Sequence, residues 1–182
     1  MIAIRFAAIC VLLASIVTCG RIEANRDFNF GVRYFNDKKF DAAIRSFERA
    51  ASVRADPVIA YNLALSHLAA LRELTSQTEE SNLSPEQIAP ALASVSSAQE
   101  LPGLEDEMLA KLGYIEGEIY ALAGNSEAAQ RAFSRSLSAD PNFPPTLKAQ
   151  LELDTKSDTA LARLLLATAD VEELEPEEKL SP

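Results

Sequence analysis

The stretch Gly31-Val32-Arg33-Tyr34-Phe35-Asn36-Asp37-Lys38-Lys39-Phe40-Asp41-Ala42-Ala43-Ile44-Arg45-Ser46-Phe47-Glu48-Arg49-Ala50 sets the frame for the whole chain. Five of its residues, Gly31, Tyr34, Ala43, Phe47 and Ala50, return as Gly117, Tyr120, Ala129, Phe133 and Ser136 with every internal offset preserved. Each offset must be met independently, so the recurrence marks one supersecondary unit used more than once. Gly31 and Tyr34 lie three apart on one helix face, and Ala43, Phe47 and Ala50 lie four and three apart on the next. Asn36-Asp37-Lys38-Lys39 and Gly124-Asn125-Ser126 interrupt the pattern at equivalent places. Two apolar stripes joined by a short breaker fold onto each other as an antiparallel helical hairpin. The small residues let the backbones approach, and Phe47 and Phe133 fill the wedge.

The remaining sequence carries the same helical signature. Among 182 residues there are six Gly, two Cys, one His and no Trp. Ala and Leu are abundant, which favours helix at the level of propensity, and no period-two alternation bounded by hairpin turns predicts a strand. The fold class is therefore all-α. Helices are expected near residues 25–36, 40–54, 57–73, 84–98, 104–123, 126–138, 143–153 and 158–169. Ser84-Pro85-Glu86-Gln87 reads as a capping box with proline in the first turn. The last two helices would cover the apolar face that a terminal hairpin otherwise leaves wet. From 171 to 182 the chain is strongly acidic, with Glu172, Glu173, Glu175, Glu177 and Glu178 against Lys179, and is expected to form a disordered tail.

The order small, aromatic, small, aromatic, small, followed by Asp140-Pro141, resembles the tetratricopeptide repeat family. Asp56-Pro57 stands two residues later in the first copy than that pattern has it. A middle copy opens at Tyr61-Asn62-Leu63-Ala64, with His67 where Tyr34 stood. Its second helix arrives late, because Leu71 to Leu83 inserts a polar stretch before Ala91, Val95 and Ala98 restore the four-three spacing. The resemblance covers residues 24 to 142 and implies a short α-solenoid of antiparallel hairpins over 25–170, closed by a C-terminal capping helix pair.

Residues 1–18 read as a signal peptide: Arg5, then an apolar run from Phe6 through Val17 that is short for a span of about 20 residues. Residues 19–24 are expected to form a short linker. Ile16-Val17-Thr18-Cys19 resembles the bacterial lipoprotein processing box, with Thr18 where that box usually has Gly, Ala or Ser; ordinary cleavage just after Cys19 or Gly20 is the alternative. Cys10 lies within the apolar run and leaves with it, so Cys19 has no intramolecular disulfide partner. The resemblance implies acylation of Cys19 and a membrane-anchored lipoprotein facing the periplasm.

Composition argues against several kinds of chemistry. His67 is the only histidine and aligns with a core aromatic of the first repeat, so it is expected to pack rather than to ligate or catalyse. No Cys/His cluster of zinc spacing is present, and no Gly-rich phosphate loop. Glu116 and Glu118 lie two apart on a helix and point to different faces, a poor acid/base pair. A net charge of −10 disfavours nucleic acid as a partner. The expectation is a protein with no enzymatic activity and no cofactor or metal.

What the repeat resemblance implies instead is a concave groove for a protein or peptide partner. It is lined by Phe28, Asn29, Val32 and Phe35 from the first helix, Tyr61, Asn62, Leu65 and Leu68 from the second, and Lys111, Tyr114, Ile115 and Glu118 from the third. Phe28, Val32 and Ile115 stand where a carboxylate clamp has other residues. The function expected by resemblance is scaffolding of a bacterial envelope complex; the alternative is an accessory subunit docking an envelope enzyme such as a peptidoglycan hydrolase.

Overall fold

A computed structural model describes residues 20–78 and 82–155. Among these residues there are seven helices and no strand. They are α1 over residues 20–36, α2 (Phe40–Val53), α3 (Pro57–Gln77), α4 (Pro85–Gln99), α5 (Asp106–Leu122), α6 (Ser126–Ala139) and α7 (Pro144–Thr155). The signal segment 1–18, Cys19, the eighth helix at 158–169 and the tail at 171–182 lie outside the described residues. Helix is already present at residue 20, so the linker expected over 19–24 is part of α1 from that point on. After Gly20 the run Arg21 to Asn25 has no proline or glycine to stop a helix, and its Ala24 is buried.

Two hairpins repeat each other in atomic detail, 86 residues apart. In the first, the amides of Lys38 and Lys39 donate to the carbonyls of Phe35 and Tyr34, both at 2.8 Å. In the second, Gly124 and Asn125 donate to Ala121 and Tyr120 at 3.0 and 2.9 Å. The left-handed residue that closes the turn is Lys38 in one (φ 57°) and Gly124 in the other (φ 72°). Within each hairpin a helical glycine faces an aromatic ring: a methyl added to Gly31 would stand 2.5 Å from the Phe47 ring, and one added to Gly117 would run into Phe133. The glycines are there because the ring occupies the space of a side chain.

The middle pair differs. α3 is 21 residues long, four more than its sequence pattern predicts, and buries residues on every side. Such a helix is a central one: α2, α4 and α5 all pack on it. Its start is set by Asp56, whose Oδ1 accepts from the Val58 amide at 2.9 Å ahead of Pro57 at the first turn; Arg54 holds the same carboxylate at 2.6 Å. Asp56-Pro57 therefore opens α3, whereas Asp140-Pro141 forms a turn in which Asp140 Oδ1 accepts from the Asn142 amide at 3.0 Å. α4 starts with the expected capping box between Ser84 and Gln87. The described residues of the polar insertion are tied to the domain at both ends. Leu71 and Leu83 are buried, the Leu83 amide donates to Leu122 O at 3.0 Å, and Asn82 sits against Gly124.

Buried side chains fall into three groups along the chain. Phe28, Ala43, Phe47, Ala50 and Ile59 knit α1 and α2 to the start of α3. Tyr61, Leu65, Leu68, Val95, Leu112 and Ile115 join α3, α4 and α5. Ala129, Phe133 and Ala149 join α6 to α7. A buried polar link completes the last group: Ser136 Oγ donates to Ala110 O at 2.7 Å, leaving the Thr146 hydroxyl, also at 2.7 Å, to donate to Ser136.

Candidate protein-interaction surface

The expected groove residues separate into core and surface. Phe28 is buried, its ring 5.7 Å from that of Phe47. Tyr61, Asn62 and Leu65 are buried too, as are Leu68 and Ile115. These five residues do not line an open groove, because α5 packs directly on α3 and covers the face that position-by-position transfer left open. Asn62 Nδ2 donates to Val58 O one turn back, at 2.9 Å. Its counterpart Asn29 is exposed on the outer side of α1. The same position thus has two environments, since α3 has helices on both sides and α1 only on one among the described residues.

Val32, Phe35, Lys111, Tyr114 and Glu118 remain half-buried at the surface. Phe35 makes an edge contact with Phe40 at 5.4 Å, so Val32 and Phe35 belong to the α1–α2 end. Lys111, Tyr114 and Glu118 form one strip along α5, facing α3. The Lys111 ammonium lies 5.4 Å above the centre of the Tyr61 ring and 3.1 Å from Glu107. Further along, Arg72 of α3 donates to Glu118 at 2.7 Å and to the Tyr114 hydroxyl at 3.1 Å. Arg72 is the residue that the sequence does not announce: its partner is 46 positions away, with no local pattern linking them.

The electrostatics of the strip follow from this pairing. Burial, reinforced by Glu118 and opposed by Arg72, pushes the Tyr114 phenol up to about 12. Its ring is held against Phe133 and Phe143 at 6.3 and 6.2 Å, so Tyr114 offers an edge and a neutral hydroxyl. Both cations are already matched by carboxylates, so the strip is a network of satisfied donors and acceptors rather than a pocket for a bare carboxylate.

A depression of about 450 Å³ lies between α2, α3 and α4. Glu48, Ala51, Leu63, His67, Pro90 and Ser94 contribute to its walls. Burial holds His67 below its ordinary value, with Glu48 acting in the opposite direction, so the ring is uncharged at neutral pH. Among the described residues, no group of three or more His, Cys, Asp and Glu is placed to hold a metal ion. No helix of these residues is long and apolar enough to cross a membrane. No protein-family model, curated protein or solved structure matches the chain.

Proposed function

We propose that the chain is a non-enzymatic protein-interaction module, a short tetratricopeptide-type α-solenoid exported to a bacterial envelope and anchored there through lipid on Cys19. The observation that carries this reading is the repetition, 86 residues apart, of a hairpin with the same turn hydrogen bonds and the same glycine-on-phenylalanine contact. Repeated hairpins stacked side by side present an extended face instead of a catalytic cleft. The partner is a protein segment lying along the strip of Lys111, Tyr114 and Glu118, with Arg72 bracing it from α3. It makes hydrogen bonds and ring contacts there, since Tyr61, Asn62 and Leu65 are out of its reach. The role that fits is assembly or scaffolding of an envelope complex.

Crosslinking in the native bacterium, followed by co-purification, tests this. Components of a secretion, pilus or outer-membrane assembly captured by the wild-type chain and lost with Lys111→Glu would support the scaffold. A peptidoglycan hydrolase captured in the same Lys111-dependent way would make the chain an accessory subunit. Capture that ignores Lys111→Glu, in a variant of unchanged helicity, would remove the strip from the binding surface. A contact of this kind that matters typically costs about 2 kcal/mol on truncation, enough to be visible.

A further inference from the structure

Charge is distributed unevenly along this chain. Residues 20–54 hold eight Arg and Lys against five Asp and Glu, whereas residues 55–182 hold eight against twenty-two. The basic end also bears the most exposed large apolar side chain among the described residues, Ile22 at 69 %, with Phe30 at 42 %. Helical spacing places Ile22, Arg26, Asn29 and Arg33 along one side of α1 with Phe30 at its margin. The opposite side, with Ala24, Phe28 and Gly31, is buried. Arg33 has no ion pair among the described residues; Arg26 lies 3.9 Å from Asp27, which Arg49 also approaches at 3.6 Å. Glu23 is the one carboxylate beside the strip on α1 that is exposed.

We infer that this outer face of α1 docks on an anionic lipid surface. Interspersed arginines and exposed Ile and Phe on one helix side match phosphate headgroups above an acyl boundary. The lipid proposed on Cys19, one residue upstream, is what would bring residue 20 to a bilayer. The acidic remainder does not cancel the attraction, because charges farther than the Debye length of about 8 Å are screened at physiological salt. It orients the chain instead, basic end down and acidic end away. The inference rests on the membrane-anchored reading only for its tether.

The test uses the full chain with Cys10→Ser and Cys19→Ser, carrying a single fluorescent label at Asn29→Cys or at Gln130→Cys. Vesicles are phosphatidylcholine alone or equal parts of phosphatidylcholine and phosphatidylglycerol, each with headgroup-nitroxide lipid as quencher. The label at 29 is expected to be quenched on the anionic vesicles, released by high salt, and left bright on phosphatidylcholine; the label at 130 should stay bright on both. An arginine near an anionic surface is worth about fivefold in binding, so Arg26→Gln with Arg33→Gln should lower the docking constant roughly twenty-fivefold. Chains that co-float with vesicles while the label at 29 stays bright, or is quenched equally on both lipids, would overturn the proposal. So would a salt-sensitive shift of that label without lipid that vanishes when Glu172, Glu173, Glu175, Glu177 and Glu178 are replaced by Gln, which would assign the face to the chain's own tail. Cys19→Ser removes the lipid, so flotation in this test reads the protein alone, and chains that fail to co-float with the anionic vesicles at low salt overturn the docking of α1.

Discussion

The hairpins α1–α2 and α5–α6 solve the close approach of two helices in one way, and α3–α4 between them solves it in another. In the flanking pairs a glycine on the first helix receives a phenylalanine ring from the second: Gly31 and Phe47, Gly117 and Phe133. At the corresponding positions the middle pair has Ala64 and Val95, both buried in a single cluster. One partner gains a methyl and the other loses a ring, so the packing is kept by trading volume across the interface. The second contrast is coverage. α2 exposes a polar face to solvent, while α3 is enclosed by three helices and has no exposed residue along its first four turns. A helix with neighbours on several sides has no single apolar stripe, and the sequence of α3 reports that by spreading its apolar residues around the helix.

The largest effect expected is a charge forced into the small-residue contact. Ala43→Glu, Ala91→Glu and Ala129→Glu address equivalent, fully or almost fully buried positions in the three pairs. Each should cost about 3–5 kcal/mol and remove most of the stability of its region, read by chemical denaturation with circular dichroism. If Ala91→Glu alone is tolerated, the middle pair is not a copy of the flanking unit, and the comparison fails at its root.

Volume trading is open to a sharper test. Gly to Ala in a helix interior ordinarily gains close to 1 kcal/mol, but at Gly117 the added methyl meets the Phe133 ring, so a loss of about 1–3 kcal/mol is expected. Combining it with Phe133→Val recreates the Ala64–Val95 pairing. The double variant should be at least about 1 kcal/mol more stable than the sum of the two single changes predicts. Strict additivity would mean that Gly117 is not held small by Phe133.

These tests also separate what the chain states locally from what it does not. The 86-residue repeat, the breakers at Lys38 and Gly124, the capping box at Ser84 and the Gly–Phe spacing are all local patterns, and each has its place in the structure. The groove was not legible in the same way. Tyr61, Asn62 and Leu65 look like surface residues only if α3 has one apolar stripe, and whether α5 covers the other side is decided by residues about 50 positions later. The Arg72–Glu118 link is silent in sequence for the same reason. It predicts a mid-sized effect: Arg72→Met should cost about 1–2 kcal/mol, less than a fully buried pair because both side chains keep some solvent contact. Arg72→Met with Glu118→Leu should recover part of that loss, since no unpaired charge remains.

The turns provide a smaller and opposite effect. Lys38 adopts the left-handed conformation that Gly124 adopts in the equivalent turn. A side chain there costs about 1–2 kcal/mol, offset in glycine by the entropy of a freer unfolded chain. Lys38→Gly should therefore stabilise by about 0.5–1 kcal/mol in thermal melts. Gly124→Ala should destabilise, because the added methyl meets both the backbone strain and Asn82. Equal and negligible effects would show that the two turns are not the same element.

The smallest effect is confined to acid. His67 stands where the flanking hairpins have Tyr34 and Tyr120, and burial holds its proton affinity below that of an ordinary histidine, Glu48 pulling the other way. The unfolded chain therefore binds a proton at a higher pH than the folded one. Stability contributed by the neutral ring is fully present above the ordinary histidine value of 6.5 and is lost progressively as pH falls below it, toward the depressed folded value. Melting temperature should decline between neutral pH and pH of about 5 in the wild type, before the carboxylates titrate. His67→Tyr, which gives the middle pair the flanking residue, should flatten that segment of the curve and leave the melt at neutral pH little changed. A decline of the same size in His67→Tyr would place the acid sensitivity elsewhere and leave the histidine as a packing residue only.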